Sequence, residues 1–254
     1  MAEFTEYAAG TPSWVDIGVH DIDAAVAFYG TLFGWTVAKA APDSGGYRMA
    51  LLREKAVAGV GPAQDPGPPR WTTYVSVADA DTTTAAVREA GGTVLLEPMD
   101  VLDAGRMAVF SDPTGVVLSI WQPGQHRGAQ LANEPGTFCW SELNSRDTET
   151  AAAFYEAVFG WKADTTTEPT QYTQFVLDGR SVAGMLDMAG RVPDEVPAHW
   201  LVYFGSADVD GTVAAAQQEG GQVFVGPMDI PAGRFAVLGD PQGAVFAVFH
   251  MPAS

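Results

Sequence analysis

Short apolar-rich segments bounded by turn residues recur along the first half of the chain, as in a succession of β-strands. Segment 13–19 alternates strictly, with Trp14, Asp16 and Gly18 set against three β-branched residues. Two other segments open on aspartate, continue at helical spacing and close on glycine, which is typical of capped helices. The order predicts two consecutive β-α-β-β-β units. The predicted strands are 13–19, 35–38, 47–52, 56–60, 71–77, 93–96, 105–111 and 116–121.

The second half of the chain repeats the first. Residues 14–35 read WVDIGVHDIDAAVAFYGTLFGW, and residues 140–161, which lie 126 positions later, read WSELNSRDTETAAAFYEAVFGW. Both stretches begin and end on tryptophan, carry a central aspartate and contain a Phe-Tyr pair before Phe-Gly-Trp. The remaining predicted elements recur in the same order at similar offsets. This internal repeat indicates a duplicated architecture.

The repeat predicts two tandem domains and therefore an α+β fold. We expect the first domain to span 1–123 and the second to span 137–254. Between them, residues 124–136 contain proline and glycine and show no apolar period, so they are predicted to be a linker. Sheets built from such units leave one face in need of cover, so we expect the two domains to pack together as an internal pseudo-dimer.

Composition and charge narrow the classes of function. The net charge is −18 and spread along the chain, which disfavours binding to nucleic acid or to anionic membranes. No apolar run approaches the roughly 20 residues that a membrane span requires, and no secretory signal is apparent. Because Cys139 is the single cysteine, an internal disulfide is excluded and a cytoplasmic location is expected.

The ordered motifs resemble those of the vicinal oxygen chelate superfamily. These motifs are a helix ending in Phe-Tyr and Phe-Gly-Trp, a Gly-Gly pair before a strand, and an Asp-Pro-x-Gly turn at 112–115 and 240–243. That superfamily includes glyoxalase I, extradiol dioxygenases and the fosfomycin and bleomycin resistance proteins. The tandem build is similar to that of two-domain glyoxalase-like antigens of actinobacteria. The resemblance implies cup-shaped sheets whose concave faces hold the functional sites.

The resemblance also implies where a catalytic metal would be held. By counting from the helix-capping aspartates and from the Asp-Pro-x-Gly turns, we place the six family ligand positions on this chain. None of these residues supplies the carboxylate, imidazole or thiolate that a divalent cation prefers. We therefore predict neither a metal nor any other cofactor, and the alternative is a shifted site formed by Glu142 and His199. The six positions are Trp14, Thr72, Ser119, Trp140, Leu201 and Ala247.

Asp16 and Glu142 are the candidate catalytic residues. Each follows a tryptophan by two positions on its strand and therefore shares the face of that tryptophan. A carboxylate in an aromatic cup would have its pKa raised by desolvation, as suits a general base. The alternative is a structural anchor, in which Asp16 would form an ion pair with Arg70.

Aromatic and polar residues that share the predicted concave faces are candidates for ligand binding. Aromatic side chains there could stack on a flat organic molecule, or they could simply fill the cup. Arg106 and Arg234 are expected to pair with Asp100 and Asp229, and His126 in the linker is expected to be exposed. The candidate ligand-binding residues are Trp14, Tyr47, Arg48, Thr72, Tyr74, Ser119, Trp121, Trp140, Tyr172, His199, Leu201, Tyr203 and Ala247.

These features together favour a glyoxalase-like enzyme that acts on a small carbonyl or aromatic molecule. The predicted chemistry is acid–base, of isomerase or lyase type, and independent of metal. Two alternatives remain open: sequestration of an aromatic metabolite or antibiotic without turnover, and a metal-dependent glyoxalase or dioxygenase with the shifted site. The expected partner is a small-molecule ligand, and the chain is expected to be a monomer or a homodimer.

Overall fold

Each half of the chain forms one eight-stranded mixed sheet in the computed structural model, which describes residues 3–41, 43–64, 66–168 and 171–250. The first half contains β1 (Pro12–Val19), α1 (Ile22–Phe33), β2 (Thr36–Val37), β3 (Arg48–Leu52), β4 (Lys55–Pro62), β5 (Arg70–Ser76), α2 (Ala80–Glu89), β6 (Thr93–Val101), β7 (Gly105–Ser111) and β8 (Val117–Pro123). The second half contains β9 (Phe138–Ser145), α3 (Thr148–Phe159), β10 (Lys162–Thr166), β11 (Tyr172–Leu177), β12 (Arg180–Asp187), β13 (His199–Gly205), α4 (Val209–Gln218), β14 (Gln222–Ile230), β15 (Gly233–Gly239) and β16 (Val245–His250).

Strand order is the same in both sheets. It is β2-β3-β4-β1-β5-β8-β7-β6 in the first sheet and β10-β11-β12-β9-β13-β16-β15-β14 in the second. Two β-α-β-β-β units therefore meet at an antiparallel seam, β1 against β5 and β9 against β13. The predicted α+β fold is confirmed. Strand β6 runs five residues beyond its expected end at Leu96, because a bulge between Leu96 and Met99 accommodates Pro98 within the strand.

The helices begin and end as the sequence indicates. The side chains of four aspartates accept hydrogen bonds from backbone N–H groups in the first turns, and a left-handed glycine follows both α1 and α3. Within the part of the chain that the structure describes, no helix is long and apolar enough to cross a membrane. The capping aspartates are Asp21, Asp79, Asp147 and Asp208.

The hydrophobic core is shared between the two halves. Helix α1 packs against α4, and α2 packs against α3. The ring of Phe33 on α1 lies 4.9 Å from that of Phe204 on β13, measured between centroids. On the other side of the molecule, Phe110 of the first half lies 5.8 Å from Phe154 of the second. The two halves therefore pack helix side to helix side, which leaves the opposite face of each sheet free to form a cup.

Buried hydrogen bonds tie the halves together reciprocally. Tyr29 Oη donates to Asp240 Oδ2 at 3.0 Å, and Tyr155 Oη donates to Asp112 Oδ2 at 3.0 Å. These two acceptors are the aspartates of the Asp-Pro-x-Gly turns, so each turn anchors a tyrosine from the other half. Burial raises the pKa of both tyrosines well above its usual range, and they remain neutral donors. The repeated Phe-Tyr pair and the repeated turn thus build a single interface.

Candidate functional site

Strand alternation separates a core face from a cup face on each central strand. On β1, Val15, Ile17 and Val19 belong to the helix-side core, whereas Trp14 packs with Tyr74 in a separate cluster on the other face. Strand β9 divides in the same way. Trp14 and Tyr74 in the first half, and Trp140 and Tyr203 in the second, therefore lie on the face opposite the helices.

Asp16 lies at the centre of the first cup and is held by two tyrosine hydroxyl groups. Tyr47 Oη donates to Asp16 Oδ2 at 3.1 Å, and Tyr74 Oη donates to the same oxygen at 3.0 Å. Trp14 Nε1 in turn donates to Tyr47 Oη at 2.9 Å. Asp16 thus accepts hydrogen bonds from two neutral hydroxyl groups in place of the expected ion pair with Arg70. These donors stabilise the carboxylate but carry no positive charge to offset it.

A glycine on β4 makes this arrangement possible. Gly59 pairs with Asp16 on the neighbouring parallel strand β1. A Cβ atom added to Gly59 would lie 1.8 Å from Tyr47 Oη. Only a residue without a side chain leaves room for the hydroxyl group to reach the carboxylate. Gly184 on β12 has the same relation to Tyr172 Oη, also at 1.8 Å. The glycine of the repeated Val-Ala-Gly sequence is therefore required by the site.

Glu142 occupies the corresponding position in the second cup. Tyr203 Oη donates to Glu142 Oε1 at 3.0 Å, and Trp140 Nε1 donates to Tyr172 Oη at 2.9 Å. Asn144 adds a longer contact, with its Nδ2 lying 3.4 Å from Glu142 Oε1. The second cup therefore repeats the tyrosine–carboxylate arrangement of the first and adds an amide donor.

Asn144 was missed by the sequence analysis. Its counterpart in the repeat is Gly18, so comparison of the halves gave no reason to select it. The available signal was alternation, because Asn144 follows Glu142 by two positions and must share its face. Burial of this amide beside a carboxylate distinguishes the second cup from the first.

Burial governs the acidity of both carboxyl groups. Desolvation raises the pKa of Asp16 to about 6, and the hydrogen bonds from Tyr74 and Tyr47 oppose that rise. Desolvation also raises the pKa of Glu142 above its usual range, again opposed by neighbouring hydrogen bonds. A carboxyl group in this state can accept or release a proton near neutral pH, as general acid–base catalysis requires.

The raised pKa of Asp16 predicts a pH dependence of stability. Between its ordinary pKa of 3.8 and its folded value of about 6, the native state keeps a proton that the unfolded state releases. Stability therefore falls as pH rises through this window and levels off above it. We expect Asp16→Asn to remove that decline, so that the variant gains on the wild type between about pH 4 and pH 6. Urea unfolding midpoints measured at intervals of pH would check this, and parallel profiles for the two proteins would contradict it.

The walls of both cups are largely apolar. In the first cup, Trp14, Tyr74 and Trp121 form a buried cluster with methionine and alanine side chains. In the second, Tyr203 and Leu201 pack with aromatic residues of β9, β15 and β16. The six positions that correspond to the family metal ligands lie in these walls or next to the carboxylates. Thr72 pairs with Asp16 across β1 and β5, and Leu201 pairs with Glu142 across β9 and β13.

The linker folds over the first cup. The ring of His126 meets that of Trp14 edge-on at 4.3 Å, and Trp121 Nε1 donates to the carbonyl oxygen of His126 at 2.8 Å. The backbone N–H of Ala129 also bonds to the carbonyl of Ser13 on β1. The expectation that His126 is exposed was wrong, because these contacts hold its ring against the aromatic wall. Burial lowers its pKa to about 4, which keeps the imidazole neutral.

His199 lies on the cup face of β13, at the rim of the second cup. It pairs with Asn144 across the seam, and its Nδ1 lies 2.9 Å from the carbonyl oxygen of Pro197. Because a carbonyl can only accept, this hydrogen bond places the imidazole proton on Nδ1 and leaves Nε2 as a lone-pair acceptor. Desolvation lowers the pKa of His199, so the neutral ring is favoured. The counterpart of His199 in the first half is Arg70.

The candidate arginines lie away from the cups. Arg48 Nη1 is 2.9 Å from Asp23 at the start of α1. Arg48 pairs with the core residue Val60 on β4, so it lies on the helix side of its sheet. Arg106 pairs with Asp100 and with an aspartate of α2, and Arg234 forms the same contacts in the second half. The expected structural pairing of these two arginines is confirmed.

The residues at the implied metal positions do not fit a divalent cation. The first cup offers an indole and two hydroxyl groups there, and the second offers an indole and two aliphatic side chains. The shifted pair of Glu142 and His199 lacks a third ligand, since no group of three histidine, cysteine or acidic side chains suited to a metal occurs within the described ranges. The residues at these positions therefore do not form a site for a catalytic divalent cation.

Comparison with known proteins identifies related sequences and folds. A family profile described as "Glyoxalase/Bleomycin resistance protein/Dioxygenase superfamily" matches residues 11–120 and again residues 129–248. The Mycobacterium tuberculosis protein named "Putative glyoxylase CFP32" is 43% identical, with 98% of this chain and 97% of that protein aligned. "Anthracycline biosynthesis protein DauV" of Streptomyces sp. strain C5 is 39% identical, with 97% and 95% aligned. The Mn(II)-bound glyoxalase from Novosphingobium aromaticivorans has a similar fold, with a TM-score of 0.65 at 18% identity, covering 95% of this chain and 82% of that one.

Proposed function

We propose that this chain, which belongs to the glyoxalase/bleomycin resistance protein/dioxygenase superfamily, binds a carbonyl-bearing or aromatic small molecule in a cup and moves a proton with Asp16 or Glu142. One observation carries the proposal. Each cup contains a carboxyl group, half-buried at Asp16 and buried at Glu142, that neutral tyrosine hydroxyls hold in an aromatic wall, with its pKa raised by desolvation. Structural carboxylates are more often paired with cations, which would lower the pKa and weaken the base.

The arrangement suits proton abstraction next to a carbonyl group. The apolar wall excludes water from the carboxylate, so its basicity is higher than that of an exposed acid. The tyrosines fix the orientation of the carboxyl group, and their raised pKa values keep them protonated. In the second cup, Asn144 adds a further donor to Glu142, and the Nε2 lone pair of His199 offers a second proton acceptor at the rim. An isomerase or lyase reaction needs these functions: a base, a fixed orientation and a site to which the proton can be passed.

The names of the relatives support these two substrate classes. One relative is named as a glyoxylase, and another as a protein of anthracycline biosynthesis. A carbonyl group and an aromatic ring system are both compatible with the cups. The size of the aromatic wall in each cup would select between these two substrate classes.

Exchange of carbon-bound protons tests the proposal without knowledge of the full substrate. A panel of aryl ketones, α-hydroxy ketones and hydroxyaromatic compounds would be incubated with the protein in D₂O and followed by proton NMR. We expect protein-dependent exchange of an acidic C–H in at least one class, and its loss in the doubly substituted chain Asp16→Asn, Glu142→Gln. Exchange that persists undiminished in the double variant would show that neither carboxylate is the base.

Binding without turnover is the second candidate, and the aromatic wall favours it. Stacking on Trp140, the half-buried counterpart of Trp14 in the second cup, could retain a flat molecule without any chemistry. In that case Trp140→Ala would weaken affinity, and removal of the carboxylates would leave affinity unchanged. The exchange experiment and a binding titration on the same variants separate the two functions.

A further inference from the structure

The exposed apolar side chains are concentrated on corresponding edge strands. Among the described residues, every large hydrophobic side chain that is exposed lies on β6, on β14 or in the turn after β6. Exposed apolar side chains grouped along an edge strand of a highly charged protein indicate a binding surface. On β14 the exposed large hydrophobic residues are Phe224, Val225, Met228 and Ile230.

The register of the second sheet points part of this patch into the second cup. Val225 pairs with Val237 of β15, and Met228 pairs with Phe235. Both partners pack in the cup-side cluster with Tyr203. Because paired residues on neighbouring strands share a face, Val225 and Met228 extend the wall of the cup to its outer edge.

A continuous row of side chains joins this edge to the carboxylate. The row crosses five adjacent strands, which gives a length of about 19 Å at the usual strand spacing. It ends two residues from Glu142 along β9, so the exposed rim and the candidate base lie on the same face of the sheet. In order from the rim, the row is Val225, Val237, Ala247, Tyr203 and Trp140.

The first cup differs because its own linker lies on the wall. His126 covers Trp14 and Trp121, which are only 4% and 6% exposed, whereas their counterparts Trp140 and Phe249 are half-buried. Within the described part of the second half, no segment crosses the cup in the way that the linker crosses the first. At these two positions the aromatic side chains of the second cup are therefore more exposed than those of the first.

We infer that the second cup binds a flat, polycyclic and largely apolar molecule, with its reacting end at Glu142 and its remaining rings along the wall towards β14. This inference rests on the proposed function and specifies its site and substrate class. A molecule with a few carbon atoms would cover only the end of the row near Glu142 and would leave the rim exposed. A concave surface that ends at a buried carboxylate fits a small flat molecule better than the surface of a second protein.

Matched substitutions at the two rims test this inference. Met228 and its counterpart Met99 are each 45% exposed, and Met99 pairs with Met107 on the cup face of the first sheet. The probes are 2-naphthol and 1-hydroxypyrene, two neutral hydroxyaromatics that differ in ring number, titrated by fluorescence. We expect 1-hydroxypyrene to bind at least tenfold more tightly than 2-naphthol, with one site per chain. Met228→Glu should weaken its binding about tenfold or more, and Met99→Glu should leave it unchanged.

Three results would overturn the inference. They are equal affinities for the two probes, equal effects of the two substitutions, and a Met228→Glu variant that dissociates a wild-type dimer in sedimentation without weakening probe binding. The third result would identify the rim as an interface between copies of the chain. Both methionines are exposed, so we expect wild-type unfolding temperatures; should Met228→Glu misfold, Ile230→Glu on the same strand serves in its place.

The inference and the proposed function can fail independently. Glu142→Gln should retain 1-hydroxypyrene binding, because the wall is intact. If ring-number dependence persists but the double variant Asp16→Asn, Glu142→Gln leaves proton exchange unchanged, the binding surface stands and the proposed chemistry fails. If exchange depends on Glu142 but neither probe binds better than a single-ring phenol, the chemistry stands and the polycyclic substrate class is wrong.

Discussion

Glu142→Gln is expected to reduce proton exchange or turnover at least a hundredfold while ligand affinity changes little. General acid–base catalysis contributes about 10²- to 10⁴-fold in rate, and an amide cannot accept the proton at neutral pH. The substitution preserves shape, and the glutamine oxygen can still accept from Tyr203, which now donates to Glu142 Oε1 at 3.0 Å. Rate and affinity would be measured on the same preparations by NMR exchange and by titration.

Asp16→Asn is the matched control for the first cup. If the second cup carries the chemistry, this variant keeps its activity, because the linker already covers the aromatic wall beside Asp16. A loss of activity in Asp16→Asn with none in Glu142→Gln would assign the chemistry to the first cup instead. Intact activity in both single variants, with loss only in the double variant, would indicate two equivalent sites.

An isolated first half of the chain, residues 1–128, is expected not to form a folded monomer. Its core would lose Phe204, Phe246 and other partners that the second half supplies to Phe33 and its neighbours. Each large side chain left exposed costs about 1.5–3 kcal/mol, whereas a whole domain is stable by only about 5–15 kcal/mol. A few such exposures exceed the available stability, so we expect each half to depend on the other for folding.

Size-exclusion chromatography and circular dichroism would check this expectation. Residues 1–128 alone should aggregate, unfold or associate with a second copy that replaces the missing half. Co-expression with residues 129–254 should restore a folded heterodimer, which is the positive control. A monomeric fragment with a cooperative unfolding transition would contradict the shared core.

Much of the fold was predictable because the sequence contains an internal repeat, so each element is indicated twice. The helix-capping aspartates, the order of helices and strands along the chain, and the position of Asp16 and Glu142 on the cup faces follow from alternation, capping and the repeat. Periodicity identifies which face of a strand is apolar. It does not identify the element that covers that face. The side chains that the two halves exchange in their shared core were therefore not predictable.

The chemistry of the site was predictable only in part. Alternation placed Asp16 in its cup, but the tyrosine donors depend on reaching across two strands, and Tyr47 lies outside any strand. The linker lacked periodicity, so nothing in its sequence indicated that His126 would pack on Trp14. Contacts between segments distant in sequence decide these details, and local patterns do not encode them.

The covalent connection between the halves breaks their symmetry. The chain must travel from the end of β8 to the start of β9, and it does so across the first cup, with Ala129 bonded to the backbone of Ser13. One connecting segment can cover only one of two equivalent cups. The two cups therefore differ chemically, even though the two halves have similar sequences and the same fold. Divergence from Asp16 and Gly18 to Glu142 and Asn144 then changes one compartment without altering the other.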